Sequence, residues 1–255
     1  VTVKPAPERY PESHFAGAYW GPRREAPDEC ARRAADFINL LAPCDPSLAH
    51  WYKTAKSPKD ARKYPLTPPD VNTLTEVFRG GVNREKGGPV FEDLGYRVWF
   101  HNGGLPHEGA DMRIKCGDYC GATPNSCFMS LPRRGPDAER VLTASVLGHV
   151  LRSMAVAWEP DWAVAMSRTH RDMDDENEGG VAAVWLGWVT YFARHWGTVP
   201  PLPAPVRIEP VEDKGMLIFL TPEPFSVANP EHVALARRVR GLLAKAGLMR
   251  SVIAP

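Results

Sequence analysis

From Leu94 to His101 the apolar residues Leu94, Tyr96, Val98 and Phe100 interleave with Arg97, Trp99 and His101, and the run stops at Asn102-Gly103. A period of two sends alternate side chains to opposite faces of a strand, and Asn-Gly readily supplies the backbone of a tight hairpin. The same alternation returns at Met112, Ile114, Cys116 and at Cys127, Met129, Leu131. Such closely spaced runs predict an antiparallel meander, one face of which must be buried. After Pro136 the spacing becomes helical, with Leu142, Val146, Val150 and Met154 in one row. That row predicts a long helix lying across the sheet.

The remaining segments fit around this unit. HFAGAYW, His14 to Trp20, predicts a first strand ended by Gly21-Pro22. A helix follows, with Pro27 in its first turn, Ala31, Ala34, Ile38 and Leu41 along one stripe, and Pro43 beyond its end. A shorter helix is expected around Leu48 to Lys53, and another from a Thr67 cap through Val71, Leu74 and Phe78 to Gly80. Later strands are expected at Trp162 to Ser167 and Val184 to Ala193, with extended pieces at Val206 to Glu209 and Gly215 to Thr221. A terminal helix starts at Asn229-Pro230, buries Leu235, Val239, Leu242 and Ala246, and stops at Gly247. Strands and helices that segregate in this way predict an α+β fold, antiparallel sheet with covering helices. The 255 residues suffice for one large domain over 1–255 or for two apposed lobes, 14–135 and 136–255.

Composition excludes several classes. Lys and Arg total 31 against 30 Asp and Glu, a net charge of +1, which provides no general field for a polyanion, so direct nucleic-acid binding is not expected. The most apolar run, Val181 to Ala193, is far shorter than the roughly 20 residues of a membrane helix. The first residues lack the apolar stretch of a signal peptide, so the expected location is cytoplasmic. Five cysteines, an odd number, fit free thiols, and Cys116, Cys120 and Cys127 lack the paired spacing of a zinc site. No cofactor or metal is expected.

Enzymatic motifs fail on spacing. His107-Glu108 opens a zinc-protease pattern, but Asp111 stands where its second histidine belongs. The glycines between Gly80 and Pro89 are not followed by the Lys-Ser/Thr of a phosphate loop. His170-Arg171-Asp172 with Asn177 matches a kinase catalytic loop, yet the other kinase elements are absent, and Met173, Asp174, Asp175 and Glu176 between them would repel phosphate. As a calcium loop the same run has Asn177 where glycine is needed and Ala183 where glutamate is needed.

What the run does hold is charge: Asp172, Asp174, Asp175, Glu176 and Glu178 place five carboxylates within seven residues. Its plain reading is a solvated loop between strands; its sharper one is a local negative field that meets a basic partner. Arg171, inside the run, and Trp196, at an element end, are added as candidate contact residues. Trp51 and Trp158 also stand at element ends, whereas Trp20, Trp99, Trp185 and Trp188 lie in apolar runs and are expected in the core.

HFAGAYWGPRREAPDECARRAADFI, RGGVNRE, EDLGYRVWFHNG, GWVTYFARHWGTVPPLPAPVRIEPV and FSVANPEHVALARRVRGLLAKAGL together resemble the immunity protein 52 family. The similarity runs from about residue 14 to 248 and rests on whole segments rather than one motif. It implies a non-enzymatic immunity protein of a bacterial polymorphic-toxin system, such as type VI secretion, that binds and neutralises a cognate nuclease-type toxin of the restriction-endonuclease fold. A nuclease presents a positive, metal-containing cleft. Inhibition then proceeds through an acidic plug in that cleft, the slightly favoured mode, with Asp172 to Glu178 as the candidate, or through an exosite. Affinity should be nanomolar or tighter, about −12 kcal/mol, over roughly 1,600 Å². Two other readings stand beside it: a hydrolase or transferase assembling His101, His149 and Asp111 in a pocket, and an effector adaptor or chaperone. Self-association is left open.

Overall fold

The structure is a computed structural model that describes residues 12–54, 60, 62–85, 88–177 and 183–253. Among them are nine strands, β1 His14–Trp20, β2 Tyr52–Lys53, β3 Tyr96–His101, β4 Asp111–Cys116, β5 Asn125–Ser130, β6 Trp162–Ser167, β7 Val189–Ala193, β8 Arg207–Val211 and β9 Gly215–Phe219. The α-helices are α1 Pro27–Leu41, α2 Val71–Gly80, α3 Gly135–Val141, α4 Ala144–Trp158, α5 Arg168–Asn177 and α6 Pro230–Lys245. The strands form one antiparallel sheet in the order β2-β3-β4-β5-β1-β6-β7-β9-β8, an α+β architecture. The first strand lies mid-sheet, pairing with β5 through Phe15↔Ser130 and with β6 through Phe15↔Met166.

The predicted meander is β3-β4-β5, in the register Val98↔Ile114 and Ile114↔Cys127. These three residues are buried on the face covered by α1, α2 and α4. Trp20 stacks on Trp158 of α4 at 5.5 Å, and Phe37 of α1 meets the same indole edge-on. Local chemistry fixes the helix ends. Glu29 reaches back to the Ala26 N–H at 2.6 Å, and Asn229 accepts from the Glu231 N–H at 3.0 Å.

Several expectations are corrected. Asp70, not Thr67, caps α2, accepting from the Thr73 N–H at 2.7 Å. The single long helix after Pro136 is two helices bent by 75°, because Thr143 leaves helical geometry and caps α4 through the Val146 N–H. Residues 46–48 form a short 3-10 turn capped by Asp45, and Tyr52–Lys53 is an edge strand where a helix was expected. The strand expected at 184–193 begins only at Val189. Among the described residues no single helix is long and apolar enough to cross a membrane.

The opposite face of the sheet is unevenly covered. Over β1 and β6, Trp185 packs edge-on against Phe15, Tyr19 and Trp162. The segment carrying it presses close to β6: a Cβ on Gly187 would lie 2.4 Å from Val164 Cγ2 and 2.6 Å from the Ala165 carbonyl oxygen. Gly187→Ala is therefore expected to cost about 1–3 kcal/mol in urea unfolding, since the backbone oxygen must move. Over β3, β4 and β5 this face carries no helix among the described residues, and Trp99 is 49% exposed rather than in the core.

Candidate functional site

The acidic run folds as helix α5, not as a loop. Ser167 Oγ accepts from the His170 N–H at 3.1 Å at its start. The carboxylates sit toward the C-terminal half, where the helix dipole disfavours them, so tertiary partners must compensate. Asp174, 4% exposed, accepts from the Leu186 N–H at 3.1 Å and from Arg240 of α6 at 3.2 Å. Arg240 also donates to the Val184 carbonyl at 3.0 Å. Asp175 accepts from the Trp185 indole N–H at 2.7 Å. Two of the acidic residues thus clamp the Trp185 segment onto the sheet.

Asp172 is exposed and binds Arg171, on the same helix, at 2.5 Å. Glu176 is exposed, and Glu178 lies outside the described residues. Trp196 is 8% exposed; its indole N–H donates to the Leu248 carbonyl at 3.0 Å and the Arg250 guanidinium covers its ring at 4.2 Å. That packing leaves the indole inside, and Trp51 and Trp158 are wholly buried as well. The element-end tryptophans close the core.

His170, beside the acidic residues, is also interior. Its ring stacks on Phe225 at 4.2 Å, and neither ring nitrogen has a partner among the described residues. Burial, reinforced by the nearby Arg240 charge, lowers its pKa to about 3.

Of the three residues considered for catalysis, two are neighbours and the third lies apart from them. His101 and Asp111 face each other across β3 and β4, with His101 Nδ1 accepting from the Gly103 N–H at 2.9 Å. His149 lies on α4, which packs on the opposite face, beside a cavity of about 340 Å³ that also touches Cys44, Ser153 and Glu212. Burial raises the Cys44 thiol pKa, which keeps it protonated. Among the described residues no group of three or more His, Cys, Asp or Glu is placed to hold a metal.

Sequence reasoning missed the basic character of the open half-sheet. Arg113 and Arg168 both stand over the Phe128 ring, at 5.8 and 6.0 Å. A 540 Å³ groove at the neighbouring edge is lined by Lys53, Arg84, Arg97 and Trp99 among others, without a carboxylate. The available signal was the alternation itself, which put Arg97 and Trp99 on the face opposite Val98 and Phe100.

Comparison with known proteins adds the family. No curated protein matches the chain. A solved structure, the T6SS protein PA0821 of Pseudomonas aeruginosa, overlays with a TM-score of 0.48 and 13% identity, over 98% of this chain and 77% of that one. The model of the immunity protein 52 family matches residues 12–252. The chain belongs to the immunity protein 52 family.

Proposed function

We propose that this chain is a non-enzymatic immunity protein of a toxin-secreting bacterium, and that it silences a nuclease-type toxin by gripping an exosite rather than plugging the catalytic cleft. Family membership over residues 12–252 is the observation that carries the immunity role. The preference for an exosite has a structural basis. Asp174 and Asp175 are committed to Arg240, Leu186 and Trp185, which depletes the negative field a plug would need.

Of the acidic run, Asp172 and Glu176 remain at the surface, where charges steer encounter more than they hold a complex. Reversing both, Asp172→Lys with Glu176→Lys, is expected to change toxin affinity by less than about tenfold, mostly through the association rate. A larger loss in surface plasmon resonance, carried by faster dissociation, would restore the acidic plug. The function itself is tested by adding the chain to purified toxin acting on plasmid DNA. Cleavage is expected to fall linearly and vanish near equimolar protein. Undiminished cleavage at a large excess contradicts the proposal.

A further inference from the structure

The open half of the sheet carries a row that runs straight across three strands. Trp99 of β3 lies opposite Arg113 of β4, and Arg113 lies opposite Phe128 of β5. The next residue in the row, Gly17 of β1, adds no side chain. Arg168, from the start of α5, also stands over the Phe128 ring, at 6.0 Å.

Arginine and aromatic side chains at close quarters are the residue types that dominate binding energy at protein interfaces. Here they are also short of counter-charge. Arg113, Arg133 and Arg168 form no salt bridge among the described residues, and the neighbouring Asp172 is already held by Arg171. Burial, and after it repulsion from Arg171 and Arg133, lowers the Arg168 pKa; Asp172 opposes the shift and Arg113 adds to it, so these guanidinium groups sense one another. Lys115, which also points to this face, is by contrast neutralised by Asp118 at 2.6 Å. Of the outward-facing residues of β3, β4 and β5, Asp111 is the one carboxylate.

Clustered guanidinium groups repel one another, and the repulsion is relieved when an anion arrives; a carboxylate accepts two parallel N–H bonds from each guanidinium. From this charge complementarity we infer that the face built by Trp99, Arg113, Phe128 and Arg168 is the toxin-docking surface, and that it receives a carboxylate-rich patch of the toxin lying outside its basic catalytic cleft. The inference rests on the reading of the chain as a toxin-binding immunity protein. A nucleic acid is the less favoured occupant. The chain as a whole carries only +1, and one arginine cluster supplies far fewer phosphate contacts than stable duplex binding uses.

The test compares full-length chains for binding to a catalytically inactive form of the toxin encoded beside the gene. Arg113→Glu with Arg168→Glu is expected to weaken binding at least about 30-fold, the range of hot-spot loss. Arg237→Glu with Arg238→Glu, the same charge change on exposed positions of α6, is expected to leave it within about threefold. Trp99→Ala serves as a second probe that removes a half-exposed ring, and it should weaken binding about tenfold or more with an unchanged melting temperature. Failure of the unmodified chain to bind would overturn the immunity reading itself. Binding by the unmodified chain that survives both the Arg113/Arg168 reversal and Trp99→Ala would overturn this inference alone. Tight binding of a 20-base-pair DNA duplex at physiological salt, lost on the Arg113/Arg168 reversal, would also overturn it in favour of nucleic acid.

Discussion

Asp174→Ala is expected to destabilise the fold by about 3–5 kcal/mol, the largest effect of any single carboxylate in the acidic helix. Its side chain is 4% exposed and receives both the Leu186 amide and the Arg240 guanidinium. Removing it takes a carboxylate from a guanidinium that is itself largely covered, and leaves a buried N–H without its acceptor. The Trp185 segment should loosen first, since Arg240 also holds the Val184 carbonyl and Asp175 holds the Trp185 indole. Asp172→Ala and Glu176→Ala, at exposed positions, should stay within about 0.5 kcal/mol. Urea unfolding of the three variants separates these outcomes. Pairing Asp174→Ala with Arg240→Met should recover part of the loss, because the covered guanidinium is then removed together with its carboxylate. Equal stabilities for all three single variants would mean that the acidic helix is solvated along its length.

The second large effect is a dependence on acid set by His170. The folded ring is neutral, with its pKa lowered from 6.5 to about 3 by burial and by Arg240. The unfolded chain binds the proton first, so stability is complete above about pH 6.5 and is lost as the pH falls toward 3. Within that window His170 contributes a slope of up to about 1.4 kcal/mol per pH unit. His170→Phe keeps an aromatic ring against Phe225 and removes the titrating nitrogens, so it should flatten the profile between pH 6 and pH 4 by roughly that slope. Urea midpoints across this range provide the measurement. A variant that follows the parent's acid profile would place the sensitivity in other groups.

Much of the fold was legible because local and tertiary signals agreed. His14 to Trp20 and Trp162 to Ser167 are strands at the expected residues, and Asn229-Pro230 opens the last helix as its capping chemistry required. The errors occurred where two signals competed. Leu142, Val146, Val150 and Met154 share a row at helical spacing, yet Thr143 takes up a cap and bends the chain there. The run after Ser167 reads as a loop because clustered carboxylates in the second half of a helix are unfavourable. Partners far away in sequence, Arg240 above all, reverse that balance, and nothing near Asp174 reveals them.

The functional surface was divided in the same way. Family identity showed in whole segments. The basic row did not, because Arg113 of β4 and Arg168 at the start of α5 meet over Phe128 only once β1 has entered the middle of the sheet. Trp99 was assigned to the core by its apolar neighbours, although alternation placed it with Arg97 on the open face. At element ends, indole size outweighed position, and Trp51, Trp158 and Trp196 are interior.

Protection of living cells tests the central claim most directly. The toxin encoded beside the gene is expressed from an inducible promoter in a susceptible bacterium, with and without this chain, and survivors are counted while tagged toxin is purified. Survival restored by orders of magnitude, together with an equimolar complex that persists through washing, is the predicted result. Cells that die despite abundant folded chain, or that survive while the toxin purifies alone, would contradict immunity by binding.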